Sequence, residues 1–328
     1  MELWGLGDLL IATPFLQAVT ERFEVTLLAK PFAVDLQPRL WPEINVVTFT
    51  APWTAFRGKY HFWRWPWREI VHLYRKLAAE RFDFGLAVHA VGDPRDHLLL
   101  KLLGVRNRLG FPRIRSQTLL TQPLARPAPE SHRYESWRTM AQALNVALPP
   151  RDKTVIPAVS AQGCVLIHTG AGQPVRVWPL ERYQRLAARL RERKIPVLIA
   201  CDPDQRDWWQ RNGESKVVVP ENVTELIALI DRAGVFIGND SGPGHLAALL
   251  GVPTFTIFGP QLPDWFAPLH PAAEWIEGKP CPYLPCSDYC RFSEPRCLWN
   301  ISESEVWGRM ESFVIRHLRS TAPSGCLS

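Results

Sequence analysis

Residues 236–260 read FIGNDSGPGHLAALLGVPTFTIFGP. The pattern predicts a strand, a glycine-rich turn, a helix and a second strand. Residues 235–238 are a short apolar run, and residues 239–244 hold an acid, a hydroxyl, two glycines and a proline. Residues 245–250 suit a compact helix that Gly251 closes, and Val252-Pro253 leads into a strand over 254–258. A turn of this kind aims backbone N–H groups from a helix N-terminus at a point in space, which makes an anion site. Asp240, Ser241, Gly242, Gly244 and His245 then surround the place where a phosphate would sit. The same residues also read as an ordinary cap, with Asp240 and Ser241 as capping side chains and His245 on the first turn. Spacing alone leaves both readings open.

The same β–α rhythm starts at residue 164. A strand over 164–168 runs into the turn Thr169, Gly170, Ala171, Gly172, and a helix over 179–193 turns Tyr183, Leu186 and Leu190 inward. Thr169 and Gly170 are candidates for the same ligand as the first turn. Arg176-Val177-Trp178-Pro179 lies between them, and its proline suits the first position of a helix. A strand over 195–200 ends in Cys201-Asp202-Pro203-Asp204, which also reads as plain turn chemistry. A helix over 224–230 completes this half.

The chain opens MELWGLGDLLIATPFL. Gly5-Leu6-Gly7-Asp8 predicts a turn, with a helix over 9–19. It is not a dinucleotide fingerprint, because Leu10 stands where a third glycine is needed. An acid directly after the second glycine would also repel a pyrophosphate. On its residue type alone Asp8 is a helix cap. Only four residues precede Gly5, so the first strand is expected to be stunted, or the native start to lie further upstream.

Strands are expected over 23–28, 46–49, 84–89 and 106–111, and helices over 69–81, 97–103 and 132–144. Residues 51–70, APWTAFRGKYHFWRWPWREI, interleave Arg57, Lys59, Arg64 and Arg68 with seven aromatic rings. Such a mixture suits an interface where rings sit among headgroups and cations meet phosphates. Arg113 belongs to a second crowd of arginines, with Arg106, Arg108 and Arg115. Arg57, Lys59, Arg64 and Arg113 are therefore candidates for contact with an acceptor or a membrane. The alternative is a loop that packs its rings on its own domain, beside solvated arginines.

At 328 residues the length favours two domains, each with its own core. Hydrophobic content of 46% and charged content of 21% are those of an ordinary soluble globular protein. No apolar run has the length of a membrane span. Residues 9–16 are apolar, but Pro14 interrupts them and no basic segment precedes them, so they are not read as a signal peptide. The expected location is the cytoplasm. A net charge of +6 favours anionic partners such as a nucleotide, a phosphorylated lipid or a membrane surface. No nucleic-acid-binding module is recognisable, so nucleic acid is not expected as a partner.

Three stretches, G-L-G-D with T-P, R-V-W-P, and N-D-S-G-P-G-H-L-A-A followed by G-V-P and F-G-P, resemble in order the motifs of glycosyltransferase family 9. These are the heptosyltransferases of the lipopolysaccharide inner core. The resemblance runs from Gly5 to about Val314. It implies an α/β protein of GT-B fold, with two Rossmann-like parallel-sheet domains facing a cleft and a C-terminal helix returning to the first domain. It implies an acceptor-side domain over 1–153, a nucleotide-sugar domain over 154–300, a crossover helix over 301–319 and a tail over 320–328. It also implies inverting transfer of a sugar, a heptose from ADP-heptose, onto a lipopolysaccharide core or related glycolipid, without a catalytic cofactor and with peripheral contact to the inner membrane.

The resemblance makes Asp8 the general base. It puts Arg176 on the donor diphosphate, where the family has lysine in K-x-W-P. It calls for an acid on the donor ribose after the strand over 195–200; Asp204 is the nearest match and Asp202 its rival. Two other functions stay open at this point: a UDP-sugar 2-epimerase-like enzyme on the same fold, and a sugar-nucleotide binding protein that does not transfer.

Cys281, Cys286, Cys290 and Cys297 fall within 17 residues, as C-x4-C-x3-C-x6-C. In a cytoplasmic protein such a cluster points to metal more often than to disulfides, though this spacing is not that of paired C-x2-C zinc ligands. Cysteines recur here in the family, and some protein-modifying relatives hold iron with four of them. The cluster is thus a candidate for structural zinc or iron. Buried free thiols or a redox-labile pair are the alternatives. Ser302 with Glu305 predicts a capping box at the start of the last helix.

Overall fold

The computed structural model describes residues 1–54, 61–88, 93–113, 116–154, 156, 163–286 and 289–318. Arg57, Lys59, Arg115 and the tail from 320 lie outside the described residues. The chain divides into two compact units, Met1–Arg151 and Asp152–Ser328.

The first unit holds strands β1 (Thr26–Ala29), β2 (Asn45–Thr48), β3 (Phe84–Ala87), β4 (Asn107–Gly110) and β5 (Gln122–Pro123). Its helices are α1 (Leu6–Ile11), α2 (Thr13–Thr20), α3 (Ala33–Leu40), α4 (Trp67–Ala79), α5 (Pro94–Leu102) and α6 (Tyr134–Ala143). β1 pairs with β2, and β4 pairs with both β3 and β5, all parallel. The first residues lie between these two sheets. Glu2 bridges Ala29 of β1 in parallel, its N–H donates to Leu28 O at 3.0 Å, and the Met1 amine donates to Leu86 O on β3 at 2.8 Å. The stunted strand expected before Gly5 is therefore present as a bridge, and Leu3 is buried with Leu28, Val47 and Ala87. The helix expected over 9–19 is two helices, because Pro14 near the start of α2 has no N–H to continue the ladder of α1.

The second unit holds β6 (Val165–His168), β7 (Val197–Ala200), β8 (Val235–Asn239), β9 (Thr254–Phe258) and β10 (Glu274–Glu277). Its helices are α7 (Leu180–Glu192), α8 (Arg206–Arg211), α9 (Val223–Ile230), α10 (Gly242–Leu249), α11 (Pro263–Phe266), α12 (Arg296–Trp299) and α13 (Glu303–His317). The sheet runs β10-β9-β8-β6-β7, every pair parallel. β6, β8 and β9 are buried throughout, which explains their near-continuous apolar sequence. The chain goes from β6 to β7 on one side and returns to β8 on the other. The carboxyl ends of β6 and β8 thus form the topological switch point, where open sheets of this kind place ligands.

The capping box at the start of α13 forms as the sequence suggests: Ser302 N–H donates to the Glu305 carboxylate at 2.7 Å, and Glu305 N–H to Ser302 Oγ at 3.3 Å. α13 buries Val306, Trp307, Met310, Phe313 and Val314 in the core of the second unit, beside Val165, Ile167, Trp178 and Phe255. At about 1.5–3 kcal/mol for each large apolar side chain, this is where the helix is held. Glu303 adds ion pairs to Arg185 and Arg189 of α7, at 2.5 and 3.2 Å. Among the described residues, no helix is long and apolar enough to cross a membrane.

Candidate functional site

The two turns at the switch point are built on one buried polar frame. Asn239, the last residue of β8, donates from Nδ2 to Thr169 O at 2.8 Å. Its Oδ1 accepts from Trp178 N–H at 3.0 Å and from the Tyr183 hydroxyl at 2.9 Å. Trp178 Nε1 in turn donates to Ile301 O at 3.0 Å. One asparagine thereby fixes the turn after β6, the R-V-W-P segment and the start of α7 relative to β8. Thr169 is part of this frame: its hydroxyl donates to Gln205 Oε1 at 2.8 Å and accepts from Trp209 Nε1 at 3.2 Å. Its side chain is committed within the protein.

α10 begins where the anion site was expected. The N-cap is Ser241, yet its hydroxyl donates to Asn239 O at 3.3 Å and makes no capping bond to the helix. The bland reading of this serine as a side-chain cap does not hold. The N-terminal turn carries Gly242, Pro243, Gly244 and His245. Asp240 is buried directly before it, its side chain 4% exposed, and Arg176 stands against it with NH1 3.6 Å from Oδ2. Arg176 keeps 26% of its side chain exposed, so it holds the buried acid and still reaches solvent.

His245 is buried, and burial followed by the nearby Arg176 guanidinium lowers its pKa to about 4. At neutral pH it is an uncharged imidazole, able to donate or accept a hydrogen bond. His168, at the end of β6, is also lowered to about 4 by burial, which its hydrogen bond to the Gly170 backbone partly opposes. Its ring stacks on Phe236 with centroids 6.4 Å apart. The sequence offered no signal for His168, which reads simply as the last residue of an apolar strand.

Of the two acids after β7, Asp202 is the one beside the turn. A Cβ on Gly170 would lie 2.3 Å from the Asp202 carboxyl, so only glycine fits under it. Asp202 is half-buried and accepts from Ala171 N–H, and burial, then Asp204, pushes its pKa up. Asp204 is exposed.

In the first unit, Asp8 is the third residue of α1 and accepts from Gly5 N–H at 3.2 Å. Its carboxylate therefore closes the turn from inside the helix. Lys30 and Arg133 both feel its charge: burial lowers their pKa values, and Asp8 is the first opposing cause for each. Buried Glu2 is raised to about 8, by burial and then by repulsion from Asp8. Asp8 thus sits in a mixed neighbourhood of two cations and one buried acid whose pKa is raised. Neither Lys30, after the end of β1, nor Arg133, before α6, carries a local motif that could have found it. Arg64 and Arg113 are exposed.

Burial, then Cys281, Cys290 and Cys286, raises the Cys297 thiol to about 11, so the four thiols share one neighbourhood. Cys286 Sγ is turned to Tyr283 O at 2.9 Å. Among the described residues, no three His, Cys, Asp or Glu side chains come together as a metal-ligand set. The donor chemistry suits zinc or iron, but the arrangement among the described residues does not form a ligand shell.

Residues 70–293 match the model of glycosyltransferase family 9 (heptosyltransferase). Lipopolysaccharide heptosyltransferase 3 of Escherichia coli (strain K12) is 30% identical over 138 residues, 39% of this chain and 37% of that protein, so the match spans well under half of that relative's length. Lipopolysaccharide heptosyltransferase 1 of Pseudomonas aeruginosa is 26% identical over 273 residues, 73% of this chain and 76% of that protein. The structure of the E. coli heptosyltransferase WaaC with ADP superposes with a TM-score of 0.72 at 16% identity, over 95% of this chain and 100% of that one. That likeness covers both parallel-sheet units and shows the fold to be the one the sequence motifs implied. A family match over more than half the length, in the region that carries the switch point, identifies the chain as a member of glycosyltransferase family 9 (heptosyltransferase).

Proposed function

We propose that the chain is an inverting glycosyltransferase that moves a heptose from ADP-heptose to a lipopolysaccharide core or related glycolipid. The observation that carries the reading is Arg176 beside buried Asp240 at an α10 N-terminus that has no side-chain cap. Backbone N–H groups and a guanidinium that converge there stabilise a diphosphate as negative charge builds on it. The ADP in the WaaC complex supports a nucleotide diphosphate as ligand. Asp202, rather than Asp204, is the acid assigned to the ribose.

In the proposed reaction Asp8 takes the proton from an acceptor hydroxyl. The freed oxygen attacks C1 of the heptose. The bond from C1 to the diphosphate oxygen breaks on the opposite face, its electron pair stays on that oxygen, and ADP leaves. Arg176, Ser241, Gly242 and Gly244 hold the departing diphosphate, and neutral His245 supplies a hydrogen bond there. Lys30 and Arg133 fit an acceptor that is anionic near the reacting hydroxyl. No cofactor takes part. The setting is the cytoplasm, at the face of the membrane that carries the acceptor. Zinc or iron at the four cysteines would be structural, and elemental analysis of protein purified without chelator decides it.

The test is incubation of the purified protein with ADP-heptose, with and without a core acceptor. ADP release that requires the acceptor, with heptose found on it, is the expected result. Turnover of the donor without acceptor would instead favour an epimerase-like reaction, and binding without turnover a non-catalytic role.

A further inference from the structure

Large apolar side chains lie exposed in one part of the first unit. Phe62 is 60% exposed, Trp63 66% and Trp67 50%, and Val71 and Tyr74 follow them at the surface. Phe62 touches both Trp63 and Trp67. The Phe62 and Trp63 rings meet edge to face at 5.3 Å, and Trp67 Nε1 donates to Phe62 O at 2.8 Å. Along α4, residues 67, 71 and 74 are spaced by four and three, so they form one stripe, while Leu73 and Leu77 take the core side. The Tyr74 hydroxyl donates to Leu102 O at 3.1 Å, and Leu98 and Leu102, one turn apart on α5, are exposed as well. The apolar strip therefore runs from residue 62 along α4 to the end of α5.

The strip is edged with positive charge. At about 100° per residue, Arg68 and Arg75 fall on one flank of the 67–71–74 stripe. Residues 61–76 carry Arg64, Arg68, Arg75 and Lys76 against the single acid Glu69. Among the described residues, none of these four cations is held in an ion pair. A second copy seated on this face would bring like charges together, which disfavours a symmetric dimer. Tryptophan rings at headgroup depth, with unpaired cations around them, match an anionic bilayer surface.

We infer that the outer face of α4, with residues 62–63 before it and the end of α5 beside it, docks on an anionic bilayer. The inference deepens the reading of a lipid-borne acceptor, but its test does not use the transfer reaction. The full chain is sedimented with vesicles of phosphatidylethanolamine and phosphatidylglycerol, and with vesicles of phosphatidylcholine alone. Binding to the first and not the second is expected, and salt should weaken it. Arg68→Gln/Arg75→Gln should lower the partition constant about fivefold for each cation removed. Trp63→Ser/Val71→Ser should lower it further, with the melting temperature unchanged. Equal binding to both vesicle types, or unchanged binding in both double variants, overturns the inference. So does a concentration-dependent dimer that Trp63→Ser/Val71→Ser abolishes, in protein that ignores both vesicles. Vesicle binding in a protein that never transfers heptose would remove the proposed activity and leave this surface standing.

Discussion

The guanidinium of Arg176 lies 3.6 Å from the buried carboxylate of Asp240, at the point where β8 gives way to α10. In the proposed reaction this side chain has two tasks, to neutralise an acid taken out of water and to meet an incoming anion. Arg176→Ala is expected to weaken ADP binding by about 2–3 kcal/mol, the scale of lost charged hydrogen bonds. It should also lower the melting temperature, because Asp240 loses a cation. Arg176→Met with Asp240→Asn separates the tasks: the melting temperature should recover while ADP affinity, read by calorimetry, should not. Unchanged ADP affinity in the alanine variant would refute the assignment.

Asp8→Asn keeps an oxygen for the Gly5 N–H but cannot accept the acceptor's proton. Transfer should fall by about 10²–10⁴, while ADP affinity and melting temperature stay near those of the unaltered chain. The measurement is kcat beside a donor titration. Near-normal turnover would leave Asp8 as a turn-closing residue only.

The two acids after β7 should behave differently. Asp202→Ala is expected to cost about 1.5–3 kcal/mol of donor affinity, as for lost hydrogen bonds to a charged group. Asp204→Ala should cost little. Gly170→Ala should resemble Asp202→Ala, since the new methyl would displace the carboxylate it meets at 2.3 Å. Equal losses at 202 and 204 would count against the distinction.

The buried histidines set a pH dependence with a definite sign. His168 and His245 titrate near 4 in the folded chain, against 6.5 as the ordinary value. Between those limits the unfolded chain binds more protons, so their contribution is complete above about pH 6.5 and is lost as pH falls towards 4. The slope is about 1.4 kcal/mol per pH unit for each. Glu2, raised to about 8, and Asp96, raised to about 6, act the other way in the first unit, where stability falls as pH rises. The overall melting curve therefore hides both effects. The informative quantity is the melting temperature of His245→Gln relative to the unaltered chain. The difference should shift in favour of the variant as pH goes from 7 to 4, and a constant difference would show that His245 does not carry the effect.

The second unit was open to sequence reading because its elements are short, alternate regularly and end in glycine-rich turns. β9 over 254–258 and the capping box at Ser302 are where the residues put them. α3 was hidden by Pro38 inside it, a residue that reads as a break. β10, Glu-Trp-Ile-Glu, is too short and polar to announce itself. The site was legible only in part. Motif spacing located the turns, but which of Asp202 and Asp204 faces Gly170 depends on the path of the chain after β7. Lys30, Arg133 and His168 are brought to their places by tertiary structure alone. The aromatic stretch before α4 divides in the same way: Trp63 is exposed, whereas Trp53 is buried and donates to Asp96 at 2.8 Å.

The packing of α13 has a consequence for biogenesis. Phe313 and Val314 sit in the same core as Val165 and Ile167, about 150 residues earlier in the chain. As the polypeptide leaves the ribosome, the sheet from β6 to β10 emerges with an apolar face that α13 must cover. The first unit can acquire its structure during synthesis, but the second has to wait until α13 has been made. Nascent chains stalled before residue 303 should therefore present that face to chaperones.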